Sequence, residues 1–248
     1  MTTRRRGVSF PLITLALSLV GLGLLPLLVL TAPPSIIVPW QNQLMGISFA
    51  LICILGIIAG VSPSHCSRRS KTSELRVAET MRLEATESST TLIHKEGHHP
   101  TCDQYHGHIL RIYNRVLCAG CTGLVTGAAF ALIGTILFFF ANFPIILPNV
   151  IFWIGFILVA LGLIQHFVYR LVRVQRGEVR IIVNGLFVIG AFLLLASVVQ
   201  LTNNLVVSGY LLILTLYWVF TRIAMSRWSH QRICVRCQVA DCPLSDAC

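Results

Sequence analysis

Apolar residues in this chain gather into six long runs with few polar interruptions, near Val8–Thr31, Leu44–Val61, Gly120–Ala141, Val150–Val172, Ile181–Leu201 and Leu205–Ala224. A bilayer core about 30 Å thick needs roughly 20 apolar residues in a helix, and each run supplies about that length. The stretch Ala-Pro-Pro-Ser-Ile-Ile-Val-Pro-Trp between the first two runs and Asn142-Phe-Pro-Ile-Ile-Leu-Pro-Asn149 between the third and fourth are rich in helix breakers. The fifth and sixth runs are parted by little more than Thr202-Asn203-Asn204. The pattern predicts an all-α fold: a polytopic membrane protein with six transmembrane helices, in three hairpins, and a small cytoplasmic Cys/His-rich motif. Its expected division is an N-terminal transmembrane hairpin (1–62), a flexible cytoplasmic tether (63–93), a Cys/His metal-binding motif (94–121), a four-helix transmembrane region (120–224) and a Cys-rich cytoplasmic tail (225–248).

Composition agrees. Of 248 residues 55% are apolar and 11% charged, with a mean hydropathy of +0.79. Those values exclude a soluble domain, a disordered chain, a collagen and a small disulfide-stapled secreted domain. The 19 Lys and Arg against 9 Asp and Glu give a net charge of +10. In a soluble protein that balance suggests nucleic acid; here the basic residues are read first as topology markers, and no nucleic-acid partner is expected. A cytoplasmic N-terminus places Arg4–Arg6, the basic residues from Arg68 to Arg115, Arg170–Arg180 and Arg222–Arg236 on one side, leaving the three outer connections without any. Trp40 and Trp153 then fall at the outer interface and Trp228 at the inner one. The expected location is the inner (cytoplasmic) membrane with both termini cytoplasmic, and the expected partners are the lipid bilayer and a membrane protein or second copy. Arg4–Arg6 before an apolar run also resembles a secretory signal, but the run is long, lacks an Ala-x-Ala exit and is followed by Ala32-Pro-Pro, so an uncleaved helix is the preferred reading.

Gly56 with Gly60 and Gly123 with Gly127 are small-xxx-small pairs, which let helices approach closely in lipid. No charged residue stands in the middle of a span, which argues against a proton-coupled pump. Gln165, His166 and Asn184 lie near the cytoplasmic ends of their spans and read either as a polar pocket or as helix-end residues bonded to backbone and water.

Residues 63–119 form the one long connection. From Arg68 to Thr91 it is Ser, Thr, Glu and Arg with little apolar content, a solvated tether with a short helix beginning near Ser73. From His94 it changes: five of the eight histidines and three of the nine cysteines fall within 94–123. Cys118-Ala-Gly-Cys121 has the spacing at which two thiolates share a metal ion, with Gly120 permitting the turn between them. A closed tetrahedral site wants two more ligands, and Cys102 with His106 or His108 stands suitably upstream, with His98 and His99 as further candidates. Leu110–Ile112 and Val116–Cys118 read as strands of a hairpin turned by Tyr113-Asn114, the arrangement of a zinc knuckle. The competing reading is a helical stripe of Ile109, Ile112, Tyr113, Val116 and Leu117 on the membrane surface. The tail holds Cys234, Cys237, Cys242 and Cys248 on the reducing side, which argues against disulfides and for a tetrathiolate zinc site or an iron–sulfur cluster, with free thiols as the bland alternative. Cys66 reads as an interfacial cysteine and Cys53 as a packing residue.

The segment His98-His-Pro-x-Cys102, His108 and Cys118-x-Gly-Cys-Thr-Gly123 resembles a family of small prokaryotic membrane proteins, domain of unknown function 2085, over roughly residues 94–135. The resemblance implies a membrane-bound Cys/His site and brings no reaction with it. Ala119-Gly120 is neutral where bacterial relatives often carry a basic residue, which puts an anion-binding role in question. The leading functional reading is a binding and scaffold protein with structural zinc as cofactor. The alternatives are a redox or electron-transfer subunit using iron–sulfur or thiol chemistry, and a metal-ion transporter using Gln165, His166 and Asn184. Signatures of P-loop nucleotide binding, zinc proteases, serine hydrolases and covalent haem are missing.

Overall fold

The computed structural model describes residues 6–33, 40–61, 109–112, 115–172 and 176–237. The apolar runs are six helices: α1 (Arg6–Thr31), α2 (Gln41–Val61), α3 (Ala119–Thr135, prolonged by a π-helical turn over Ile136–Phe140), α4 (Pro148–Val172), α5 (Gly177–Thr202) and α6 (Leu205–Cys237). Each is long and apolar enough to cross a membrane, so the chain is a multi-pass membrane protein of the all-α class. Ahead of α3 stand two short strands, β1 (Ile109–Ile112) and β2 (Arg115–Cys118). They pair antiparallel with Ile109 opposite Cys118 and Ile112 opposite Arg115, so the hairpin reading holds and the surface-helix reading does not. The tether 63–93, Cys66 and everything after Cys237 lie outside the described residues.

Local chemistry sets the helix ends. Pro148 opens α4, where a missing N–H leaves no bond unmade. Asn203, left-handed at φ 44°, ends α5 with its N–H bonded to Val199 O. Asn204 Oδ1 then accepts from the N–H groups of Val206 (2.9 Å) and Val207 (3.3 Å), so one asparagine closes α5 and the next opens α6.

Cross-helix contacts fix the direction of each helix. Gly60 meets Val125 and Gly46 meets Phe139, so α2 and α3 are antiparallel. Gly155 meets Leu194 and Gly162 meets Phe187, which sets α4 antiparallel to α5. Gly123 meets Ile181, Gly127 meets Gly185 and Gly134 meets Phe192, so α3 and α5 run parallel in a constant register. In α1 and α6, again antiparallel, Ser18 Oγ and Thr221 Oγ1 share a hydrogen bond of 2.8 Å and Tyr210 Oη donates to Gly21 O at 3.0 Å. One end of the bundle therefore holds residues 32–33 and 40 and the connections 141–149 and 203–204, none of them charged; the other, the basic end, gathers Arg6, the β-hairpin, Arg170, Arg176 and the last turns of α6.

The centre of the bundle is α5, with 56% of its apolar window buried against 28% for α1 and 22% for α2. The tight pairs are α4–α5, α3–α5, α2–α3 and α1–α6. The three hairpins thus describe the path of the chain, while packing cuts across them. Lipid is as apolar as leucine, so close backbone approach does what hydrophobic exclusion does in water. A Cβ on Gly127 would lie 2.5 Å from Gly185 O, whereas one on Gly56 would meet nothing within 4 Å. Of the two small-residue pairs, Gly123 and Gly127 make a continuous seam; in the other only Gly60 is in contact. Cys53 is buried as a packing residue. Trp40 and Trp153 are half exposed at the uncharged end, as an interfacial belt requires. Trp228 departs from that expectation: it is buried, with the Arg232 guanidinium 3.7 Å from its ring centroid, because α6 continues past Ala224 to Cys237 and carries it into the packing.

Candidate metal site and the polar cluster beside it

The β2–α3 junction is an elbow. Cys118 is the last residue of β2 and the N-cap of α3, with extended backbone (φ −71°, ψ 117°) and no side-chain cap bond. Cys121 sits in the first helical turn, and Thr122 Oγ1 donates to Cys118 O at 3.0 Å, tying the turn back to the strand. Both thiols are half-buried. The β-hairpin runs directly into the helix start, so the two cysteines, three residues apart, sit on one strand-to-helix bend. Gly120 opens this bend: a Cβ there would stand 3.9 Å from Cys118 Sγ and 3.8 Å from Asn184 Nδ2 of α5.

Of the predicted ligands, Cys118 and Cys121 fall within the described residues, at the β2–α3 junction. Cys102, His98, His99, His106, His108, Cys242 and Cys248 lie outside the described residues, and Cys234 and Cys237 are described only as backbone in the last turn of α6. Among the described residues no three His, Cys, Asp or Glu side chains cluster as a metal site. The described residues thus include two of the predicted thiols and none of the other predicted side chains.

Beside the elbow the inner faces of α4, α5 and α6 converge on a buried arginine. Arg222 is 9% exposed and lies within the apolar span of α6. Its Nη1 donates to Gly162 O at 2.7 Å, its Nη2 donates to Asn184 Oδ1, and the Phe187 ring centroid is 5.4 Å from the guanidinium carbon. Asn184 Nδ2 in turn donates to Arg180 O at 2.7 Å. The orientation of the Gln165 amide that satisfies both its ends turns Oε1 to the Arg222 guanidinium and lets Nε2 donate to Tyr169 Oη at 3.2 Å. Tyr169 Oη donates to Val179 O at 3.3 Å, and Arg180 covers the Tyr169 ring at 4.9 Å. Donors and acceptors run in one direction from the guanidinium to the backbone of α5. Arg180 is also within electrostatic reach of Cys118, so the cluster and the thiol elbow are neighbours.

Gln165 and Asn184 are accordingly members of a buried polar cluster, and Asn184 is bonded to backbone as well; the side chain of His166 lies outside the described residues. Sequence reasoning missed Arg222 as a buried group by assigning it to the membrane face. The signal was present: Trp218, Thr221, Met225 and Trp228 are buried at helical spacing, so the core stripe of α6 runs through and beyond Arg222. No protein-family model, curated protein or solved structure matches the chain.

Proposed function

We propose that this membrane protein binds one zinc ion at its cytoplasmic face, in a structural site that fastens the loop from His94 to Cys118 onto the start of α3. The observation that carries the reading is the strand-to-helix elbow with Cys118 and Cys121 on one bend. Cys102 with His106 or His108 completes the shell, with His98 and His99 as the other candidates. A zinc ion in such a shell contributes directly to folding, because the unfolded chain has no preformed cage. The motif's resemblance to the family named above supports a membrane-bound Cys/His site. The orientation rests on the positive-inside rule: the connections at one end carry no Lys or Arg. Cys234, Cys237, Cys242 and Cys248 form a second candidate site of the same chemistry.

One observation favours a redox role as the second reading. Cys118 stands at a helix N-terminus within electrostatic reach of Arg180, a setting that also suits an exchanging thiol or an iron–sulfur ligand. Metal-ion transport is supported least, since Gln165 and Asn184 surround the positive charge of Arg222, which opposes a cation at that depth.

The test is elemental analysis with a visible spectrum on protein purified under anaerobic, reducing conditions. Stoichiometric zinc in a colourless protein, lost in Cys118→Ser and Cys121→Ser, is the expected result. Iron with visible absorbance moves the assignment to electron transfer, and a folded metal-free protein overturns the zinc reading.

A further inference from the structure

At the uncharged end of the bundle, the start of α2, the π-helical turn that ends α3 and the last turn of α5 border an open cleft of about 350 Å³. Pockets that hold small ligands span roughly 300–1,000 Å³. Four amide side chains line this one, Asn42, Asn142, Gln200 and Asn203, and Phe138 and Phe143 supply aromatic walls. None of its lining residues is charged.

The backbone shapes the cleft in advance. Ala141 N–H donates to Ile136 O and Phe143 N–H to Leu137 O, both at 3.0 Å, so the chain leaves α3 through a widened turn. Asn142 then takes a left-handed conformation (φ 56°), as Asn203 does where α5 ends (φ 44°). Among the described residues these are the two non-glycine positions with positive φ, and both line the same cleft. Gln200 pins the rim, its Oε1 accepting from Ile145 N–H at 3.1 Å and its Nε2 donating to Ile145 O at 2.9 Å. The amide of Gln200 is thereby engaged. The side chains of Asn42 and Asn142 are exposed, and neither makes a hydrogen bond among the described residues.

We infer that this cleft binds the neutral, hydroxyl-rich ring of a sugar, with the Asn42 and Asn142 amides as its hydrogen-bonding groups and the Phe143 ring as its platform. An ionic ligand would give up water here for neutral amides and meet no counter-charge. An amide carries a donor and an acceptor, and so does each hydroxyl, so neighbouring hydroxyls can pair with one amide in both senses. Phe143, 64% exposed, offers an apolar surface to the C–H face of the ring. The half-exposed Trp40 just ahead of α2 marks the membrane–water interface at this level, the depth at which a lipid headgroup lies. The shared chemistry has two sources, a soluble glycoside and the headgroup of a glycolipid. The cleft is at the opposite end of the bundle from Cys118 and does not depend on the metal reading.

The experiment follows thermal unfolding of the full chain by tryptophan fluorescence in polyoxyethylene micelles, which carry no sugar. Methyl glucoside is added from water; glucosyl diacylglycerol is compared with diacylglycerol of the same tails and with phosphatidic acid in the micelle. A ligand that binds only the folded state raises the midpoint by mass action. A gain with methyl glucoside supports a site open to soluble sugar, and a gain with glucosyl diacylglycerol alone supports a lipid-borne headgroup. No gain with either, or an equal gain with phosphatidic acid, overturns the proposal. Asn42→Ala and Asn142→Gly are each expected to weaken the apparent affinity about fivefold, the loss of one hydrogen-bonding side chain. Glycine keeps the left-handed backbone at 142, so that variant removes the amide without straining the turn. Asn149→Ala removes an exposed amide outside the cleft and is expected to keep the full gain. General exclusion of sugar from the protein surface would raise all three variants alike, and that pattern overturns the site.

Discussion

A buried arginine solvated by neutral oxygens makes each of those oxygens worth more than an ordinary hydrogen-bond acceptor. Asn184 serves Arg222 through Oδ1 and the first turn of α5 through Nδ2, so its loss takes one acceptor from a buried charge and one bond from the helix start. Asn184→Leu is expected to destabilise the folded bundle by about 2–3 kcal/mol. Equilibrium unfolding in mixed micelles checks this, with Thr126→Ala as the control, since Thr126 is exposed and bonds only its own helix; that change is expected to stay within about 0.5 kcal/mol. Residue chemistry was partly legible in the sequence. Cys118-Ala-Gly-Cys121 declared itself by spacing, and Gln165 and Asn184 by being polar in an apolar run. What joins them to Arg222, Arg180 and Tyr169 is the convergence of three helices, and no spacing within one helix encodes that.

At the scale of elements, the helices and the β-hairpin followed from hydropathy, prolines and the two short apolar strands, whereas the extension of α6 past Ala224 and the packing partners did not. A helix apolar on every side offers lipid and neighbour the same surface, so there is no amphipathic face to say which side turns inward. Small residues are the remaining clue, and the two glycine pairs look alike until the helices are placed. Gly127 touches the backbone of α5 while Gly56 faces open space. Gly127→Leu is therefore expected to force α3 from α5 and cost about 1–3 kcal/mol or more, and Gly56→Leu to be nearly neutral. Thermal midpoints of the two variants in the same micelle decide it; equal losses would show that the α3–α5 seam is not the tight contact.

For the whole molecule, the distribution of charge along the sequence sets an expected direction in the membrane. With no Lys or Arg in 32–40, 141–149 or 203–204, a fluorescent protein fused to the C-terminus is expected to be bright and an alkaline phosphatase fused there inactive, and the opposite pair of results would invert the orientation. The pairing of α1 with α6 has a different consequence, one of timing. Ser18 finds its partner in Thr221, and Gly21 O accepts from Tyr210, residues made long after α1. Once in the membrane, α1 must wait there, its hydroxyl and carbonyl unmatched by a neighbour, until α6 arrives. A ribosome that stalls before Leu205 therefore leaves α1 without its partner and exposes an open bundle to proteolysis.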